Sequence, residues 1–164
     1  MMIPNMTTSQ QARGFTMIEV LITLVILSIG LLGLAALQAN SMASNHNAFL
    51  RSQASQYAYD MGDRMRANIA GVTAGNYNNV SGIATDPACI TAGCTPAQMA
   101  TYDTFQWNTL LSQQLPAGKG TVTGDGTDFV ISVMWDEARN GATGTGCDPA
   151  DAADLKCVQL EIRP

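Results

Sequence analysis

Residues Val20–Leu37 form an apolar run of 18 residues in which only Thr23 and Ser28 are polar, and a single carboxylate, Glu19, stands at its front. A run of that length matches a helix that crosses the hydrocarbon of a bilayer. An ionised side chain inside such a segment costs about 3 kcal/mol on insertion scales, which makes Glu19 a functional-site candidate by default. The plain alternative is a carboxylate near a helix end that reaches back to the headgroups.

Two ordinary explanations compete for the whole segment. A secretory signal peptide cleaved near Ala39 would release the remainder, but its apolar core is usually only about 7–15 residues long. A simple single-pass anchor fits the length and gives no reason for the residues in front of it, Gly14-Phe15-Thr16-Met17-Ile18-Glu19. A glycine followed by Phe-Thr-Met-Ile-Glu and a long apolar helix resembles the processing site of type IV prepilins. The resemblance implies cleavage between Gly14 and Phe15 by a membrane-embedded prepilin peptidase, methylation of the new amino terminus, and removal of a leader, residues 1–14, whose one basic residue is Arg13. Arg13 in front of the apolar run agrees with the positive-inside tendency. It also implies that Glu19 pairs with the amino terminus of a neighbouring subunit, where close approach in low dielectric makes the attraction large.

The chain has 164 residues, so residues 71–164 can build one modest core and not two domains. Without Arg13, seven Lys+Arg face thirteen Asp+Glu, a net charge near −6. That balance argues against nucleic-acid binding, which shows a basic patch or stripe. The four cysteines, Cys89, Cys94, Cys147 and Cys157, form an even set behind an export segment and read as two disulfides. Three pairings are possible; the local one, Cys89–Cys94 with Cys147–Cys157, is favoured because each bridge closes a loop containing Gly, Ala or Pro. Zinc is disfavoured by the spacing and by a lone histidine, His46, far upstream.

No proline occurs between Pro4 and Pro87, so a helix from about Phe15 can run to Ile69 and stop before Gly71. Roughly 55 residues would span about 80 Å. Residues 15–37 are apolar on every side and read as the membrane or filament-core half; residues 38–70 are amphipathic, with Leu50, Ala54, Tyr57, Met61, Met65 and Ile69 as one stripe. Gly30 and Gly33 stand where major pilins commonly carry a helix-perturbing proline. Asp60–Arg64 and Asp63–Arg66 have helical ion-pair spacing and offer a contact for a partner subunit. Residues 71–100 read as a long loop pinned by Cys89 and Cys94. A second helix is expected at Pro96–Leu115, followed by strands at 120–124, 128–135 and 156–163, with a turn at Gly124–Thr127.

The expected fold is therefore α+β: the type IV pilin fold, a long N-terminal helix packed on a small antiparallel sheet with a disulfide-bounded C-terminal loop. The segment from Asp60 to Asn68, and the stretch from Trp107 to Pro164, also look like PilV-type minor pilins. The resemblance implies a protein of the inner membrane, later of the pilus or cell surface. Its expected partners are other minor pilins, the major pilin, the prepilin peptidase and the inner-membrane assembly platform. Its expected role is to support pilus assembly, twitching motility and adhesion. A pseudopilin of a type II secretion system is the nearest alternative. An anchored adhesin or a competence-type pilin taking up DNA is the alternative from another class. Asp148, Asp151 and Asp154 invite calcium, but their spacing is not that of an EF-hand and an exposed acidic loop explains them. No nucleophile–base pair or phosphate-cradling loop is present, so neither an enzyme nor a cofactor is expected.

Overall fold

The computed structural model describes residues 14–164; the expected leader through Arg13 lies outside the described residues. The chain divides into two compact units, Met1–Ser44 and Asn45–Pro164. In the first unit the described structure is the beginning of helix α1, Met17–Ala67, whose 51 residues contain no proline. Gly30 and Gly33 are helical within it, so neither interrupts the hydrogen-bond ladder. Thr23 and Ser28 return their hydroxyls to the carbonyls of Val20 and Leu24, at 2.8 and 2.7 Å. These bonds remove the only side-chain donors in the apolar run from its surroundings.

The second unit contains the rest of α1 and seven further elements: α2 (Ile69–Thr73), β1 (Asn79–Ser81), α3 (Cys89–Ala92), α4 (Pro96–Gln114), β2 (Lys119–Gly124), β3 (Phe129–Trp135) and β4 (Lys156–Ile162). The strands form one antiparallel sheet in the order β1-β2-β3-β4. Along α1, Leu50, Ala54, Ala58, Met61 and Met65 are buried at spacings of three and four, and they join one core with Trp107, Leu111, Ile131, Val133 and Trp135. Small and large residues are mixed along this stripe. A Cβ placed on Gly62 would sit 3.4 Å from Ile162 Cδ1 and 3.7 Å from Ile131 Cδ1.

Helix α4 starts with a complete capping box, in which Thr95 accepts from the Gln98 N–H and the Gln98 side chain accepts from the Thr95 N–H. Its Trp107 is fully buried, and the indole N–H donates to the Tyr57 carbonyl of α1 at 2.9 Å. Strand β2 passes so close to this ring that a side chain at Gly120 would collide with it. The sheet continues through a hairpin in which Asp125 accepts from the N–H groups of Thr127 and Asp128, at 2.8 and 3.0 Å. Those bonds, the Asp128 contact first, hold the Asp125 carboxyl below the usual carboxylate range.

Three expectations need correction. Helix α1 stops at Ala67, because Asn68 leaves helical geometry and uses its side chain as the N-cap of α2, accepting from Gly71 N at 3.2 Å. Ile69 consequently starts α2 and is exposed, while Ala58 belongs to the buried stripe and Tyr57 only flanks it. Residues 71–100 are not simply a loop: they contain most of α2, all of β1 and α3, and the start of α4. Strand β1 is only three residues long, and its one buried residue, Val80, pairs with Val122. Periodicity has nothing to register in so short a strand.

Replacing Trp107 by Ala should destabilise the protein by about 3–5 kcal/mol, since it removes a fully buried aromatic and leaves a cavity between α4 and β2. Urea unfolding of the full chain in detergent micelles measures it. A loss below about 1 kcal/mol would contradict the central place given to this ring.

Candidate functional site

The residues singled out in the sequence fall in separate places. Gly14, Phe15 and Glu19 lie at the start of α1, in the first unit, and the four cysteines lie in the second.

Gly14, Phe15 and Thr16 precede the helix, and Phe15 is 83% exposed. Thr16 caps the helix: its carbonyl accepts from Glu19 N at 3.1 Å and Val20 N at 3.3 Å, and its hydroxyl oxygen lies 3.4 Å from Glu19 N. Thr16-Met17-Ile18-Glu19 thus has the spacing of a capping box, with Glu19 in the first turn of α1. A helix leaves its first four N–H groups without intrahelical partners and carries partial positive charge there. Glu19 is therefore placed where the helix itself favours a carboxylate. Among the described residues no cation forms an ion pair with it. Behind it, α1 is long and apolar enough to cross a membrane, and none of that stretch is buried within the protein.

The second unit holds a part-buried polar cluster, of which the sequence showed only the Asp60–Arg64 pair. Arg64 is bonded to Asp60 Oδ2 at 2.9 Å and Gln106 Oε1 at 2.9 Å, with Asp103 Oδ1 at 3.4 Å. The Tyr77 hydroxyl donates to Asp103 Oδ2 at 2.5 Å and accepts from Asn68 Nδ2 at 3.1 Å. Asn68 Nδ2 also donates to the Pro96 carbonyl at 2.8 Å. Arg64 therefore turns toward α4, whereas the Asp63–Arg66 pair, at 2.9 Å, stays on the surface. A signal for the cluster existed: Asp103 shares its helix face with Trp107, Leu111 and Leu115 at intervals of four, so its burial was readable. Burial and the Asp103 hydrogen bond push the Tyr77 hydroxyl well above its ordinary value.

The disulfides join Cys89 to Cys94 and Cys147 to Cys157, with Cα separations of 5.1 and 5.4 Å. Cys157 is the register partner of Met134 on β3, so this bridge ties the loop between β3 and β4 to the sheet face opposite α1. The loop's carboxylates are already occupied by backbone N–H groups. Asp154 accepts from Gly146 and Asp148, Asp148 from Ala150, and Asp151 from Ala153. Among the described residues no cluster of three His, Cys, Asp or Glu side chains could hold a metal ion.

Two family models match the chain. The prokaryotic N-terminal methylation motif matches residues 9–35, and the type IV pilin Tt1218 model matches residues 36–105. Neither a curated protein nor a solved structure matches the chain significantly.

Two measurements test the geometry of the head. In the folded state Tyr77 holds its proton above its ordinary pKa of 10.0, so its contribution to stability is complete below that pH and is lost as pH rises beyond it. The urea midpoint of the wild-type chain should fall more steeply above that pH than that of Tyr77→Phe; parallel curves would contradict the assignment. Removing the Cys147–Cys157 bridge by a double Ala substitution should cost about 2–3 kcal/mol in the same assay, the loop-entropy value for a ring of this size.

Proposed function

We propose that this chain, a type IV prepilin-like protein, is a minor pilin of the PilV type that supports assembly of a type IV pilus and thereby twitching motility and adhesion. The two family models support a structural role in a pilus or pseudopilus system, with processing by a prepilin peptidase. The observation that carries the proposal is the start of α1. A glycine-bounded segment, a first-turn carboxylate and an exposed apolar helix occur in the order that a membrane-stored, fibre-inserted subunit requires.

In this reading the peptidase cuts between Gly14 and Phe15, and the amino group of Phe15 is methylated. Residues 15–37 hold the subunit in the inner membrane and later enter the fibre core. Residues 38–70 form the amphipathic half of the helix, and residues 71–164 form the head outside the membrane. The fibre replaces lipid by apolar neighbours around the helix, so van der Waals packing and small-residue contacts at Gly30 and Gly33 decide how closely helices approach. Glu19 then sets register. A buried carboxylate is far less costly with a cation beside it, so a subunit whose Glu19 meets a neighbour's amino terminus is favoured over one that is shifted along the axis. The other minor pilins, the major pilin and the assembly platform are the partners this mechanism needs.

Substituting Gly14 by a bulky residue should leave uncleaved protein in the membrane, read by amino-terminal sequencing. A mature chain beginning at methylated Phe15 from that variant would sink the processing site. Glu19→Ala should leave membrane insertion unchanged and strongly reduce recovery of the subunit in sheared fibres; undiminished recovery would remove the register role. Deletion of the gene separates the two systems of this design. Loss of twitching supports the pilus, whereas loss of protein secretion with normal twitching assigns the subunit to a type II secretion pseudopilus.

A further inference from the structure

Asn140 is the only asparagine of the chain that is followed by glycine. It lies exposed in the loop between β3 and β4, and its surroundings are held by hydrogen bonds. The Asp136 side chain is buried, and its Oδ2 accepts from the Gly141 N–H at 2.8 Å while its Oδ1 accepts from the Asn140 N–H at 3.3 Å. The Asn140 side-chain carbonyl accepts from the Ala142 N–H at 3.0 Å. Gly141 has φ +84°, a left-handed conformation that glycine adopts without steric cost.

We propose that Asn140 is a site of intramolecular deamidation, in which Asp136 serves as base for the Gly141 nitrogen and the Ala142 N–H stabilises the Asn140 side-chain oxygen. An asparagine side chain and the next backbone nitrogen can close a five-membered ring, and glycine at the second position leaves that nitrogen open to the reaction. The Gly141 N–H proton passes to Asp136 as the nitrogen bonds to Asn140 Cγ. Negative charge then develops on Oδ1, where the Ala142 N–H already points. The adduct takes a proton back and expels ammonia, leaving a cyclic imide. Water adds to one of its two carbonyls and reopens the ring, giving aspartate or, through the other carbonyl, isoaspartate. The net reaction consumes one water and releases one ammonia.

Each hydrogen bond alone is ordinary turn chemistry. Their convergence on the attacking nitrogen and on the oxygen that takes up charge, at the one Asn-Gly step, gives them a second role. A positioned base contributes at least tenfold to such a proton transfer, and an oriented donor adds to that. The product places another negative charge in a loop that already carries Asp148, Asp151 and Asp154. Isoaspartate also adds a methylene to the backbone, displacing the Gly141 N–H from Asp136.

The test uses the full chain in detergent micelles, held at body temperature and neutral pH for days and read by peptide mass spectrometry with an isoaspartate-specific methyltransferase. The expected result is conversion at residue 140 in the native protein at a rate no lower than in the urea-unfolded chain. A native protein that stays intact while the unfolded chain reacts would overturn the proposal, because the fold would then protect the site. Asp136→Asn, with near-ultraviolet circular dichroism confirming its fold, should react at least roughly tenfold more slowly. An undiminished rate in that folded variant would overturn the role of Asp136. Should the variant not fold, the native-against-unfolded comparison still decides whether the folded site promotes the reaction.

Discussion

Trp107 is where the head is held together. Its ring fills the space between α4 and β2, and its N–H reaches the backbone of α1 at Tyr57. A buried indole needs both conditions, apolar walls and one acceptor, and three different elements supply them. Gly120 is glycine because the ring takes the place of its side chain. Ala54 and Ala58 are buried in the same core, and a Cβ on Gly62 would meet Ile162 and Ile131 at ordinary contact distance.

The polar cluster at Arg64 fixes what the hydrophobic core leaves free. Apolar packing is non-directional and tolerates sliding of α4 along α1. Arg64, Asp103 and Tyr77 do not, because each buried group must keep its partner. Asn68 extends the same logic to the helix end. One amide side chain caps α2, meets Tyr77 and holds Pro96, so the end of α1 is tied to the start of α4. Asn68 looked like a residue inside a helix that continues to Ile69, yet its side chain competes with the backbone and ends that helix.

Sequence patterns revealed the elements that are long and regular. The 51-residue helix was legible from its apolar run, its missing prolines and its amphipathic second half, and α4, β3 and β4 from their apolar residues between turn signals. The likeness to the N-terminal methylation motif was legible for a different reason, since Gly14-Phe15-Thr16-Met17-Ile18-Glu19 is a specific run of residues and not merely a propensity. What escaped was short or nonlocal. Strand β1 exists because β2 is beside it, and Tyr77 is a network member only because the fold carries it to Asp103, 26 residues away in sequence. Asp60 and Arg64 were visible as a helical pair, and Asp103 could have been suspected from its place in line with Trp107 and Leu111. The turn at Asp125 was legible because its chemistry is local.

Glu19 looks different once its helix is seen. A carboxylate in hydrocarbon and a helix end with open N–H groups are both unfavourable in a bilayer, where no water satisfies either. In this chain they coincide: Thr16 caps the first turn, and Glu19 lies three residues later in the positive field of the helix terminus. Each reduces the other's cost, so in the proposed reading the charge can wait in the membrane without a partner. That field is worth at most about 2 kcal/mol in partly buried settings, less than the attraction of a full positive charge at close range. The cap therefore makes storage tolerable, and a neighbouring cation would make assembly preferable. Under the proposed function, a charge balanced in this way suits a subunit that is stored in lipid and then inserted in a fibre.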